Sequence, residues 1–449
     1  MRTEFSFFNW AGKKLLGLVG ITSAERKMRD NAVNWLELAE KVYHFRRDVL
    51  SAAQVGELQA HASSLRSLLK EQAGAEKLKL EIESLEEVLR RTGGSIYPKS
   101  ALVENIDFFL VAAIVILGVR TYFVQPFKIP TNSMWPTYNG MTPEVFATPA
   151  DEPSTLGVVA RGIAFGATPH RLDAPTAGEV LIPFDQNGRA HYRVASGRKW
   201  FVIPTDVREY TLLVDDQPVR VRVPLDFDFD WVVANAFLLP GAAYNPQSYA
   251  AAFERKVADH DYEVRVVDGE KLGCLRTGRH VRVGERILAF DELTGDQLFV
   301  DRMSYNFVRP SVGSGFVFRT GNIPDIARSF GDQYYIKRLI GTPGDTIQVK
   351  EPAVWRNGKP IEGSVAFDMN ARREGKYRGY FNGSALNGAH YLLSPDEKLV
   401  VPSRAYFAMG DNSGNSADGR YWGFVPGKDV VGRPMFVYFP FTRHWGPAR

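Results

Sequence analysis

The chain has one cysteine, Cys274, in 449 residues. That excludes an intrachain disulfide and any zinc site built on several thiolates. It also lacks a surplus of charge: 55 Lys and Arg stand against 51 Asp and Glu, a net of +4. So slight an excess, spread over the whole length, gives no electrostatic footprint for nucleic acid. Long apolar runs are equally scarce. Mean hydropathy is −0.21 and a single stretch is able to span a bilayer, which excludes a polytopic membrane protein. No phosphate-binding glycine loop, His-Glu-x-x-His helix or dinucleotide fingerprint is present, and the eight histidines stand away from any obvious nucleophile. What remains, 45% hydrophobic and 24% charged residues, is the balance of a globular protein rather than a disordered or fibrous one. At ~150 residues per domain the length suggests about three folded units.

The one apolar run is Phe108–Val119, FFLVAAIVILGV. Twelve residues are too few to cross the hydrocarbon core, which needs ~20. Extension from Ile106 to Val124 gives 19, with Asp107 and Arg120 near the ends. Arg120 can snorkel to the headgroups, leaving Tyr122 and Phe123 at the interface. A transmembrane helix is therefore expected over 105–124, the plain alternative being a buried core helix. Arg90, Arg91 and Lys99 before it outnumber Arg120 and Lys128 after it, a weak signal for a cytoplasmic N-terminal side.

Residues 24–91 carry a helical pattern. Met28, Trp35, Val42 and Val49 recur every seven residues, with Ala32, Ala39 and Ala53 four residues after three of them. Leu58, Ala62, Leu65 and Leu69 keep 4-3-4 spacing, as do Leu78, Ile82, Leu85 and Leu89. Ala73-Gly74-Ala75 interrupts the pattern and Thr92-Gly93-Gly94 ends it. The expectation is an amphipathic helical hairpin or short coiled coil within 1–100, held by bundle packing and without chemistry of its own.

After Gln125 the texture changes to short alternating runs punctuated by Gly and Pro. Examples are Tyr210–Val214, Val219–Val223, Tyr262–Val267, Arg286–Phe290 and Gly315–Phe318. This spacing predicts antiparallel β structure, with Tyr249–Val257 among the few helical pieces.

Three segments hold candidate chemistry. Ile129-Pro130-Thr131-Asn132-Ser133-Met134-Trp135-Pro136-Thr137 places a serine between two prolines that restrict the backbone. A hydroxyl so held is a nucleophile if a base lies near it; otherwise the segment is a membrane-proximal turn. In Tyr334–Asp345, strand alternation puts Lys337 on one face with Tyr335 and Leu339, ahead of a Pro343-Gly344 turn. A lysine on an apolar face loses hydration of its charged form, so its pKa falls and its lone pair is freed. The competing reading is a snorkelling lysine on a half-exposed strand. In the third segment, Gly410–Arg420, Asp411, Ser413 and Asn415 mimic the opening of a calcium loop. That loop requires Gly at its sixth position and Glu at its twelfth, where this chain has Ser416 and Trp422, which argues against calcium. No metal and no cofactor is expected.

In this order, behind a membrane segment, the three segments resemble the boxes of bacterial type I signal peptidases, which are membrane-anchored Ser-Lys proteases. Gly295–Arg302, leading through Arg309-Pro310 to Gly315–Phe318, resembles the family's strand pair between the serine and lysine boxes. The resemblance covers roughly 106–140 and 295–440. It implies a mainly β catalytic domain of antiparallel sheets (125–140 and 295–449) with one transmembrane helix, an N-terminal helical hairpin (1–100), and a large, β-rich inserted domain (141–294).

By that resemblance Ser133 is the nucleophile and Lys337 the general base, and Thr131 with the Ser133 N–H forms the oxyanion hole. Ser416 orients the lysine, Asp418 and Arg420 form a supporting ion pair, and Asp411 braces the same loop. Ile129, Pro130, Met134, Tyr138, Tyr335 and Ile336 line the shallow pocket for the residue before the cut. The implied substrates are secretory pre-proteins, cleaved after a small-x-small sequence such as Ala-x-Ala. The implied partners are these and the lipid bilayer, with no nucleic acid; the N-terminal helices and the insertion are places for a further partner. The implied location is the bacterial plasma membrane, single-pass, with the N-terminus cytoplasmic and the catalytic domain on the outer, periplasmic side. Trp135, Phe439, Phe441 and Trp445 are expected to help the catalytic face lie on lipid. Asn132, Thr342, Ser413 and Gly419 depart from the family's usual residues without removing a proposed catalytic group. Two readings compete. A self-cleaving Ser-Lys repressor-type protease would carry a DNA-binding module, and no basic helix-turn-helix is found. A catalytically dead anchored scaffold would not need Ser133, Lys337 and Ser416 intact.

Overall fold

The computed structural model describes residues 24–199, 203–242 and 246–448; the first 23 residues of the expected helical region lie outside them. The chain divides into two compact units, Met1–Ile116 and Leu117–Arg449.

In the first unit the apolar repeat becomes three helices, α1 (Ala24–Arg46), α2 (Ala52–Lys70) and α3 (Ala75–Thr92). They share one core that includes Ala32, Ala39, Val42, Leu58, Leu65, Leu78, Leu85 and Leu89. Among the described residues the expected hairpin is thus corrected to three packed helices. Its extra break comes from Ser51, whose side chain accepts from the Gln54 N–H while the Gln54 side chain accepts from the Ser51 N–H. This capping box starts a new helix. Val49 therefore falls in the connection, 72% exposed, and leaves the seven-residue stripe.

Helix α4 (Ala101–Tyr122) carries the apolar run, and none of its residues is buried. By length and composition it can cross a membrane.

The second unit is built on an eight-stranded sheet: β1 (Val124–Lys128), β2 (Gln297–Asp301), β3 (Gly315–Arg319), β4 (Tyr334–Gly341), β5 (Ala405–Met409), β6 (Val425–Pro426), β7 (Val430–Phe439) and β8 (Gly446–Pro447). Its order is β1-β2-β7-β3-β4-β5-β6, with β8 on β7, and every pair is antiparallel. Strand β4 is central, so its residues from Lys337 to Gly341 are buried on both faces. It ends where expected: the Asp345 N–H donates to the Thr342 carbonyl at 3.0 Å, and Gly344 takes φ +89°, which a side chain would resist.

Residues 141–294 form a second β assembly with its own core, including Val180, Ile182, Leu212, Phe227, Phe229 and Phe290. Five strands run in the order Tyr192–Lys199, Ile203–Val214, Gly178–Phe184, Glu270–Val281, Tyr262–Val267, and Gln217–Pro224 joins the second of them. The insertion closes on itself at its base. Its first strand, Thr142–Val145, pairs with its last, Arg286–Leu293, with Thr142 opposite Leu293. The chain therefore leaves and re-enters the eight-stranded sheet at one place, which is how so long a segment is accommodated. The predicted helical piece is Pro246–Ala258.

Candidate active site

Ser133 lies in a single 3-10 turn, Asn132–Met134, and is half-buried. Its neighbours fix it. The Asn132 amide donates to the Met141 carbonyl at 2.9 Å and its oxygen accepts from the Gly140 N–H at 3.0 Å. From the opposite loop, the Asn412 side chain donates to the Asn132 carbonyl at 3.0 Å and the Asn412 N–H to the Ser133 carbonyl at 3.1 Å. The departure at Asn132 thereby has a local role: its side chain ties the turn to the Gly140-Met141 backbone, which a smaller apolar residue could not do.

Lys337 sits opposite Phe316 in β4 and is only 4% exposed. Its Nζ donates to the Ser416 hydroxyl at 3.2 Å and lies 5.9 Å from the centre of the Tyr335 ring. Burial pushes its pKa down to about 8, with Asp418 and Asp411 pulling the other way and Arg420 adding to the fall. Desolvation wins because the carboxylates nearby are already engaged by arginines. Near neutral pH a useful fraction of this amine is unprotonated, as a general base requires.

Those carboxylates form two fully buried ion pairs. Asp418 and Arg420 meet at 2.7 Å, and Asp418 also accepts from the Gly410 N–H at 3.0 Å. Burial alone would raise the Asp418 pKa, but Arg420 holds it below the usual carboxylate range. Asp411 pairs with Arg338, the residue after the lysine, at 2.5 Å, and accepts from Thr137 in the serine segment at 2.5 Å. Asp411 therefore does more than brace its own loop. It joins the serine segment, the lysine strand and the Gly410–Arg420 loop through one carboxylate. The other departures also have local causes. The Ser413 hydroxyl accepts from the Phe381 N–H and from Arg420, Thr342 donates twice to Asp345, and a side chain at Gly419 would meet Phe407 at 2.5 Å.

Gly410 shows how closely the parts approach. A Cβ on it would lie 2.4 Å from the Ser133 carbonyl oxygen and 2.2 Å from the Ser416 Oγ, so only hydrogen separates the serine turn from the partner of Lys337.

Ser133 and Lys337 line one cleft of about 1020 Å³. Thr131, Ile129, Pro130, Tyr335 and Ile336 line it too. Met134 and Tyr138 do not: they are 0% and 1% exposed, in a buried cluster with Val300, Val431 and Val437. Trp135 is corrected as well, being buried at 6.1 Å from Trp231 of the insertion, whereas Phe441 and Trp445 are exposed. Arg338, Thr137, Asn412 and Gly410 escaped the sequence reading. Arg338 lies next to Lys337 in sequence, but alternation turns it to the opposite face, and its partner is 73 residues away. Among the described residues, no group of three His, Cys, Asp or Glu side chains is placed to hold a metal ion.

A clamped serine and a desolvated lysine thus open on one cleft of an antiparallel β body. Residues 290–439 match the family of signal peptidase, peptidase S26. The chain is 36% identical over 149 residues to signal peptidase I of Bacillus licheniformis, covering 33% of this chain and 69% of that protein. It is 30% identical over 188 residues to signal peptidase I of Aquifex aeolicus, covering 33% and 70%. With probable signal peptidase I-1 of Synechocystis sp. it shares 31% over 156 residues, covering 34% of this chain and 66% of the relative's length. A solved signal peptidase I from Enterococcus faecalis matches at 27% identity over 28% of this chain and 97% of that chain, with a TM-score of 0.21. The chain belongs to the signal peptidase I family.

Proposed function

We propose that this chain is a membrane-anchored serine endopeptidase that removes N-terminal signal peptides from exported pre-proteins after small-x-small sites. The observation that carries this reading is the amine of Lys337, buried against the Ser416 hydroxyl and opening on the cleft that also holds Ser133. In the first step Ser133 Oγ adds to the scissile carbonyl while its proton passes to the neutral Lys337 Nζ. The oxyanion so formed is held by the Thr131 hydroxyl and the Ser133 N–H; one such donor is worth ~10²–10³ in rate. The C–N bond then breaks as Lys337 returns the proton to the leaving amine. Water then attacks the acyl carbonyl and gives a proton to Lys337, and the ester C–O bond breaks as Lys337 returns that proton to Ser133 Oγ.

Helix α4 is the proposed anchor, with residues 1–100 cytoplasmic and the peptidase on the outer side. The substrate's own apolar leader lies in the same bilayer, so anchoring turns a search in three dimensions into one in two. A cleavage assay on a pre-protein in detergent tests the reading. The expected outcome is a cut after the small-x-small site, lost in both Ser133→Ala and Lys337→Met. Near-normal turnover by Lys337→Met would remove the proposed base.

A further inference from the structure

The 154-residue insertion has no counterpart in the family resemblance, yet it supplies thirteen of the thirty residues that line the cleft. Its root explains why. The Met141 N–H donates to the Pro130 carbonyl at 3.1 Å and the Asp296 N–H to the Asn139 carbonyl at 2.8 Å, so both ends of the insertion are fastened to the serine segment. Trp231 against Trp135 adds a second attachment.

What the insertion turns toward the cleft is a sheet face and a loop. The cross-strand pairs Tyr192–Tyr210 and Val194–Arg208 share that face, with the Arg208 guanidinium 4.6 Å from the centre of the Tyr192 ring. The loop presents Leu225 and Asp226, both exposed. Val194 and Leu225 are 61% and 39% exposed, apolar surface within a cleft that a bound side chain would cover. Across the gap Asp226 faces Tyr335: burial first, and the Asp226 charge second, raise the Tyr335 pKa above its ordinary value.

An extended peptide has a two-residue side-chain period. If its two small residues enter the shallow pocket beside Ile129, Tyr335 and Ile336, the residue between them must point the opposite way. In this molecule the same cleft is also lined by Tyr192, Val194, Leu225 and Asp226 of the insertion.

We propose that the insertion reads the middle residue of the small-x-small site, with Leu225 and Tyr192 covering the stem of a long side chain and Asp226 receiving a cationic head. The determinant rests on the proposed peptidase reading and deepens it. Lysine or arginine at the middle position is preferred over glutamate, since a favourable pair replaces a like-charge contact.

The test uses the full chain in detergent and three pre-proteins that differ only in the middle residue: Lys, Gln or Glu. The readout is the ratio of kcat/KM values within each enzyme, so that any general loss of activity in a variant cancels. Wild type is expected to favour Lys over Glu by roughly tenfold, less at high salt. Asp226→Asn brings the ratio toward one and Asp226→Lys inverts it. A wild-type ratio near one, or a ratio that survives Asp226→Lys, overturns the proposal. Failure of the peptidase reading looks different: Ser133→Ala would then cleave all three substrates as well as wild type does.

Discussion

At the scale of single residues the molecule turns on the cost of a buried charge. An ordinary lysine is protonated well above neutrality; Lys337, 4% exposed and held near 8, is not fully so. Two consequences share a sign. In the proposed mechanism the reactive form is the neutral amine, so the rate should rise with pH, reach half its limit near pH 8, and level off above it. The folded pKa lies below the unfolded one, so the unfolded chain binds the extra proton between about 8 and 10.5, and stability gains with pH across that window. A rate profile measured while chemistry limits turnover checks the first consequence; a flat profile from pH 6 to 10 would remove Lys337 from the mechanism. The strand that carries Lys337 was legible in the sequence because alternation along one strand needs no knowledge of the fold. The value near 8 was not, since it depends on Asp418 and Asp411 being spent on Arg420 and Arg338, partners fixed only by tertiary structure.

At the scale of elements, three segments far apart in sequence are locked by buried pairs rather than by apolar packing alone. Thr137, Arg338 and Asp411 share one carboxylate, and Asn412 clamps the serine turn. Leaving one member of such a pair unpartnered costs ~3–5 kcal/mol, which makes their relative positions stiff. Gly410→Ala probes this stiffness. The new methyl would meet the Ser133 carbonyl and the Ser416 hydroxyl, one of them backbone held by a further hydrogen bond, so neither yields cheaply. The expected outcome is a fall in kcat of at least tenfold with KM changed far less, checked by steady-state kinetics on one pre-protein. Here too legibility has a physical limit. Motif spacing located each loop, but the hydrogen required at Gly410 follows from an approach between residues that no local pattern encodes. The capping box at Ser51 is the opposite case: its signal was local, Ser51 with Gln54, and the run of heptads on either side of it obscured the break.

At the scale of the whole molecule, the clearest text in the sequence was the element with the least specific chemistry. Helix α4 is predominantly apolar and has no buried residue, so nothing among the described residues covers it. A helix of this kind in water would expose Phe109, Ile114 and Ile116, each more than 60% accessible; in a bilayer the same surface is satisfied. The insertion was legible as β structure for the converse reason, since alternation needs only a core face, whereas its place beside the cleft came from the pairing of its two end strands. The anchor is tested by making it polar where it is deepest. An arginine near the centre of a spanning helix costs ~2.5–3.5 kcal/mol on insertion scales, so Leu110→Arg combined with Ile114→Arg should move most of the protein out of the membrane fraction after alkaline carbonate washing, while wild type stays. Only Phe123 separates α4 from β1, and β1 pairs with β2 along its full length. Loss of the anchor should therefore leave cleavage of a pre-protein dissolved in detergent largely intact and depress cleavage of the same pre-protein embedded in vesicles. Equal losses in both assays would mean that α4 supports the fold of the sheet rather than its access to substrate.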